Sequence, residues 1–204
     1  MSTRGYIGLL KEDGTVDYVY SHYDNYTTGT GYILLNHAKT QQDVERILEN
    51  GWQDSVDYLA DPTKTCRSFG DPKKNISLVG YLKGDFDIEY CYLFDPKANV
   101  WYVATGWAPE EDRSDSDRLQ SIFKLYKLDF FLAYELYEKK QEGRLYKWDR
   151  NLLATAKKNG ILSKETIAAA QKLVKQHIAY EKKVKEEAEA EELKETLEEF
   201  VPAF

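Results

Sequence analysis

The sequence predicts an α+β fold. An antiparallel sheet with packed helices fills residues 1–112, and an all-helical extension, 113–204, ends in a long acidic helix. Three observations predict this. Residues up to about 108 are rich in Tyr, Ile and Val and are broken by Asp-Gly and Asp-Pro turn formers. A polar stretch, PEEDRSDSD at 109–117, marks a change of composition. Everything beyond it follows helical spacing, and its last long segment holds no internal Gly or Pro.

GYIGLLKEDGTVDYVYSHYD reads as a hairpin, two apolar runs flanking Glu12-Asp13-Gly14, because Gly accepts positive φ at the turn. YSHYDNYTTGTGYILLNH, residues 20–37, follows as a strand end and turn leading into a short helix or strand. TQQDVERILENG carries helix punctuation: Thr40 as cap, Asp43 three residues on, Val44, Ile47 and Leu48 on one face, and Gly51 at the end. Residues 53–72 read as loop. ISLVGYL and DFDIEYCYLF read as strands, the latter placing Phe86, Ile88, Tyr90 and Tyr92 on one face. DPKAN is a turn, and VWYVATGW is the partner strand.

In the second half, DRLQSIFKLYKLDFFLAYELYEKKQEG is apolar around most of its circumference and predicts a buried helix bracing the sheet. KWDRNLLATAKKNG ends on a good C-cap, Asn159-Gly160. From Ser163 a last helix presents a packing stripe through Tyr180 and then turns to Glu, Lys and Ala.

The chain has 204 residues, 14% aromatics and a formal net charge of −7. Aromatic content of this order predicts a folded chain. The acidic balance argues against direct nucleic-acid binding, which needs a basic face to replace phosphate counterions. It favours a partner with a basic surface. No window is long and apolar enough for a signal sequence or a membrane span, so a cytoplasmic protein is expected. Cys66 and Cys91 are then expected to be free thiols.

Several groups have chemical potential. His22, Asp24 and His37, with Arg4 beside them, could form a ligand site or an acid–base set, although their spacing matches no tight metal signature. Gly29-Thr30-Gly31 could cradle an anion, but the longer phosphate-loop patterns are missing. Ser2 after Met1 removal, and Cys66 beside Arg67, are nucleophile candidates without an identified base. Aromatics on the central strands suit packing beneath a helix. On the last helix, Glu186, Glu187, Glu191, Glu192 and Glu195 form an acidic face for a partner, and the helix also offers a route to a homo-oligomer. No metal or cofactor is expected.

The residues Ser2, Thr3, Arg4, Ile7, Gly8, Asp13, Gly14, Tyr20, His22, Tyr23, Asp24, Tyr26, Gly31, Leu34 and Leu35, with the later YLFDPKANVWYV, form a pattern. It resembles small bacteriophage accessory proteins that open Ser-Thr-Arg and an Ile-Gly strand, then show Tyr-x-His-(Trp/Tyr)-Asp. The resemblance spans roughly residues 2–105. The chain departs in having Asn25 where Gly is usual and in lacking Pro after Tyr26. The resemblance implies a phage product acting inside a bacterial host cell and brings no catalytic activity with it. It implies a non-enzymatic protein that binds host machinery, including CRISPR or restriction defence complexes. The alternative is a small-ligand binder or hydrolase around His22, Asp24 and His37.

Overall fold

The computed structural model describes residues 3–61, 63–64, 66–83, 87–105 and 124–199, with side chains up to Glu191. Two strands open it, β1 (Gly5–Leu10) and β2 (Thr15–Ser21), paired antiparallel from Gly5↔Ser21 to Leu10↔Val16. Gly14 takes φ +80° at the turn, and Asp13 accepts bonds from the Thr15 amide (2.9 Å) and hydroxyl (2.6 Å). A single π-helical turn, Thr27–Gly31, runs straight into α1 (Tyr32–His37). The predicted capping box forms as read: α2 (Gln41–Glu49) starts at Thr40, which exchanges bonds with Asp43.

The stretch expected to be loop contains β3 (Trp52–Gln53) and β4 (Ser68–Gly70), strands too short to leave a periodic signal. ISLVGYL is not one strand. Its first residues end β5 (Lys73–Ser77), and the remainder forms α3 (Leu78–Lys83). Then come the hairpin strands β6 (Tyr90–Asp95) and β7 (Val100–Thr105), and β8 (Tyr126–Lys127) against β7. The brace helix α4 covers Leu128–Gln141, so Tyr126 and Lys127, read as helical, belong to the sheet instead. The expected linker and the proposed boundary at 112/113 lie outside the described residues. α5 (Lys147–Lys158) and α6 (Lys164–Glu199) complete the chain, with Gly160 at φ +72° after α5 and Ser163 accepting the Thr166 amide at 3.0 Å.

The α+β reading holds. The sheet runs β4-β3-β2-β1-β6-β7-β8 with β5 also paired to β2, and it is antiparallel within its hairpins. It is mixed, because β6 lies parallel to β1 (Gly5↔Tyr90 to Leu9↔Phe94) and β3 parallel to β2. A hairpin made late in the chain has docked beside the first strand.

One sheet face puts Ile7, Leu9, Val19, Tyr92, Phe94, Trp101 and Val103 beneath α1, α2 and the start of α4. The other puts Val16, Cys91, Leu93 and Ala104 beneath α3, whose buried Tyr81 donates to the Tyr92 carbonyl at 2.6 Å. Tyr81 was expected on a strand. Ile88 falls in this second cluster and not beside Tyr90 and Tyr92, because it precedes β6 and escapes its alternation; Phe86 lies outside the described residues. Cys66 and Cys91 are free thiols. Among the described residues no helix is long and apolar enough to cross a membrane.

Phe131 projects from α4 into the sheet-facing core and is buried. Phe131→Ala should cost about 3–5 kcal/mol, the transfer term plus an unfilled cavity. Urea unfolding checks this, and a loss under about 1 kcal/mol would show that α4 is not the brace.

Candidate functional site

Residues 20–37 are organised by Asn25, a buried side chain at the junction of β2 and the π-helical turn. Its amide nitrogen lies within bonding distance of three carbonyls, Thr3 (3.0 Å), Ser21 (2.8 Å) and Tyr23 (3.1 Å). The backbone carbonyl of Asn25 accepts from the buried Tyr92 hydroxyl at 2.7 Å. The chain can enter this arrangement because Asp24 adopts φ +58°, a conformation Asp and Asn tolerate better than most residues. Asn25 therefore ties the N-terminal segment, the end of β2 and β6 together.

The Gly29-Thr30-Gly31 amides are engaged internally: Gly29 and Gly31 donate to the Tyr26 carbonyl (2.9 and 3.5 Å), Thr30 to that of Asp24 (2.9 Å). The anion cradle considered from sequence is thus closed by the turn's own carbonyls. A side chain at position 29 would sit 2.5 Å from the Asp24 oxygen, so the glycine is there for close approach.

Of the four predicted ligand residues, two share one network. His22 Nδ1 and the Tyr20 hydroxyl form a hydrogen bond of 2.6 Å, and the Arg4 guanidinium reaches the same hydroxyl while pairing with Asp87. Burial raises the Tyr20 phenol above its ordinary value, and Arg4 opposes this only partly. Tyr20 therefore stays protonated near neutrality, a hydrogen-bonding group and not a base. Asp24 is exposed and its carboxyl turns to the Tyr26 hydroxyl. His37 lies apart, on exposed helix end, with Nε2 2.9 Å from the Asn36 amide nitrogen. Partial burial and then the Lys39 charge lower its pKa below the usual histidine value.

The Arg4–Tyr20–His22 network has an aromatic rim that sequence reading did not single out. Trp52 packs 5.6 Å and Phe69 6.0 Å from the Tyr20 ring, the Tyr23 ring stands edge-on to His22 at 4.3 Å, and Lys73 lies over Trp52. Phe69 and Tyr23 are each 47% exposed, which makes the rim accessible. Arginine and aromatic groups with open faces are the side chains that dominate protein–protein affinity. The signal in sequence would have been Trp52 and Phe69 at the two ends of a stretch otherwise read as loop.

The nucleophile candidates fare differently. Ser2 lies outside the described residues. Cys66 donates to Gln53 Oε1 at 3.4 Å, and burial, followed by the Asp54 charge, raises its pKa; the expected Arg67 activation is overridden. Among the described residues no group of three or more His, Cys, Asp or Glu is placed to hold a metal.

A second polar feature, also missed, is Glu135 in the middle of α4. Its carboxylate accepts from the buried Thr27 hydroxyl of the π-helical turn, and desolvation pushes its pKa up to about 8. A lone Glu inside LDFFLAYELY was the available signal.

On α6, Glu186 and Glu187 are exposed and pair along the helix with Lys182 (3.5 Å) and Lys183 (3.4 Å). Glu191 is also exposed, and Glu192 and Glu195 continue the helix beyond the described side chains. α6 is anchored on α4 by Ala170, Val174 and a 2.8 Å bond between His177 Nδ1 and the Tyr134 hydroxyl. Farther along, Ile178 and Val184 are exposed.

Two outcomes follow. His22→Ala should lower the thermal midpoint by a few degrees, on the order of 1 kcal/mol for one partly buried hydrogen bond; an unchanged midpoint would show that the ring is free for a ligand. Glu135 is protonated more readily folded than unfolded, so the stability it contributes is fully present below about pH 4.5 and is lost as pH rises through about 8. Glu135→Gln should flatten that decline relative to the unsubstituted chain in thermal melts from about pH 5 to 9. Parallel curves would place Glu135 in water.

Compared with known protein families, characterised proteins and solved structures, the chain shows no significant match to any of them.

Proposed function

We propose that this chain is a non-enzymatic accessory protein of bacteriophage type. It binds a host protein or protein–nucleic-acid complex through protein–protein contact in the bacterial cytoplasm and modulates it, as an inhibitor of a CRISPR or restriction defence system would. The observation that carries this reading is the exposed acidic run of α6, described from Glu181 to Glu191. After its anchor at His177 the helix continues for about 22 residues, roughly 33 Å at 1.5 Å per residue. Residues 181–199 hold nine Glu against four Lys, so they supply five of the chain's seven net negative charges. A charged rod of this length contributes little to its own fold, since exposed i,i+4 pairs are worth only ~0.3–0.5 kcal/mol each. It is well suited to steering onto a basic surface.

The aromatic rim around Trp52 and Phe69 supplies an apolar component for such a contact. The ligand-site alternative draws support from the Arg4–Tyr20–His22 network but not from His37, which belongs to a separate bond set.

The experiment is affinity capture from bacterial lysate, with and without nuclease, using the unsubstituted chain and a variant carrying E186K, E187K, E191K, E192K and E195K. One dominant nuclease-resistant partner, weakened by high salt and lost by about tenfold or more in the charge-reversed variant, is the expected result. A partner retained equally by both would remove the acidic helix from the interface. Capture of nothing, with metabolite binding that depends on His22, would replace the proposal by the ligand-site reading.

A further inference from the structure

A groove of about 330 Å³ lies where the end of α1, the β6–β7 hairpin, the start of α4 and the α5–α6 connection meet. Its apolar wall is made by Leu35, Phe94, Trp101 and Ile161. The Trp101 indole is already satisfied, donating to the Ala38 carbonyl at 2.7 Å, so it lines the groove without adding a donor. Pockets that take small molecules run from about 300 to 1,000 Å³ and combine such walls with a few placed polar groups.

The polar groups here are few and of unequal sign. Lys39 and Lys127 line the groove and are exposed, and among the described residues neither ammonium has a carboxylate partner. Asp129 also lines it, with one carboxylate oxygen accepting the Thr166 hydroxyl at 3.1 Å. Asn99 adds an uncharged amide. Two cations against one anion leave a single positive charge at the mouth of an apolar groove, in a chain whose total charge is −7. A neutral ligand would leave that charge unused, a cation would be repelled, and a dianion such as phosphate would meet Asp129 without full compensation.

We propose that this groove is a binding site for a small organic monoanion, a carboxylate joined to an apolar ring or chain. The carboxylate lies between Lys39 and Lys127, and the apolar body rests on Leu35, Trp101 and Ile161. The site is independent of the α6 interface.

The test uses the full chain and three probes of one shape: para-butylbenzoate, the corresponding benzyl alcohol and the corresponding benzylamine, followed by amide and indole NMR. The expected result is saturable shifts of the Trp101 indole and of the Leu35 and Ile161 amides with the benzoate. The alcohol and amine should bind about tenfold or more weakly, and K39E/K127E should lose benzoate binding to a similar extent. Benzoate and alcohol binding equally would overturn the monoanion assignment, as would unchanged binding to K39E/K127E. Benzoate shifts absent from the groove up to the solubility limit would overturn the site. The comparison among probes on the unsubstituted chain stands even if the double variant does not fold.

Discussion

Over Leu128–Tyr137 α4 is apolar around most of its circumference, and a helix of that kind must be covered on most sides. Leu128 and Phe131 meet the sheet-facing core, while Leu132, Leu136 and Tyr137 meet Leu152, Leu153 and Ala156 of α5 and Ala170 and Val174 of α6. Each buried large side chain contributes about 1.5–3 kcal/mol, so the helical layer and the sheet are joined through one element that neither could leave exposed. The same requirement carries Glu135 into a desolvated position, where the Thr27 hydroxyl answers it. The π-helical turn is thus held from both sides, by Glu135 above and by the Asn25 bonds at its entrance.

The sheet's other face has a shorter cover. α3 has six residues, about 9 Å of helix, whereas seven strands in sequence span roughly 29 Å at 4.8 Å each. One small helix cannot cover that width. Over Val16 and Cys91 the face is closed by Tyr81 and Leu82; toward β3 and β4 the aromatic side chains cover one another instead. Among the described residues α3 is the helix packed on this face, and toward β3 and β4 the aromatic rim beside Arg4 and His22 stays accessible.

Much of this architecture was legible. The Asp13-Gly14 turn, the Thr40–Asp43 box, the Asn159-Gly160 stop and the capped start at Ser163 are local signals, each satisfied by residues within a few positions. What escaped depends on distant partners. β3 has two residues and β4 three, and they exist because β2 presents a free edge. α3 replaced an expected strand because its Tyr81 finds a buried acceptor on β6, a contact of sequence separation 11. Asn25 looked like a turn residue, and its role as a clamp rests on carbonyls of Thr3 and Ser21 that no periodicity reveals. His22 and Arg4 were singled out together and do share a hydroxyl, but the residue that joins them, Tyr20, entered only as a position of the family pattern and not as a site residue.

The charge distribution sets the end of the last helix apart from the rest of the chain. Removing residues 181–199 from the count leaves the remaining chain at −2, close to neutral for a body of its size. Its internal ion pairs, such as Lys139 with the buried Asp149 at 3.4 Å, sit where burial makes them matter. Between Lys182 and Glu189 on α6 the pairs are exposed and screened by salt within ~10 Å, so they stabilise the helix weakly. The net excess of Glu there costs the folded body little because His177 and Val174 fix the helix before the charge begins. A basic surface approaching the helix gains the uncompensated part of that charge without disturbing the core.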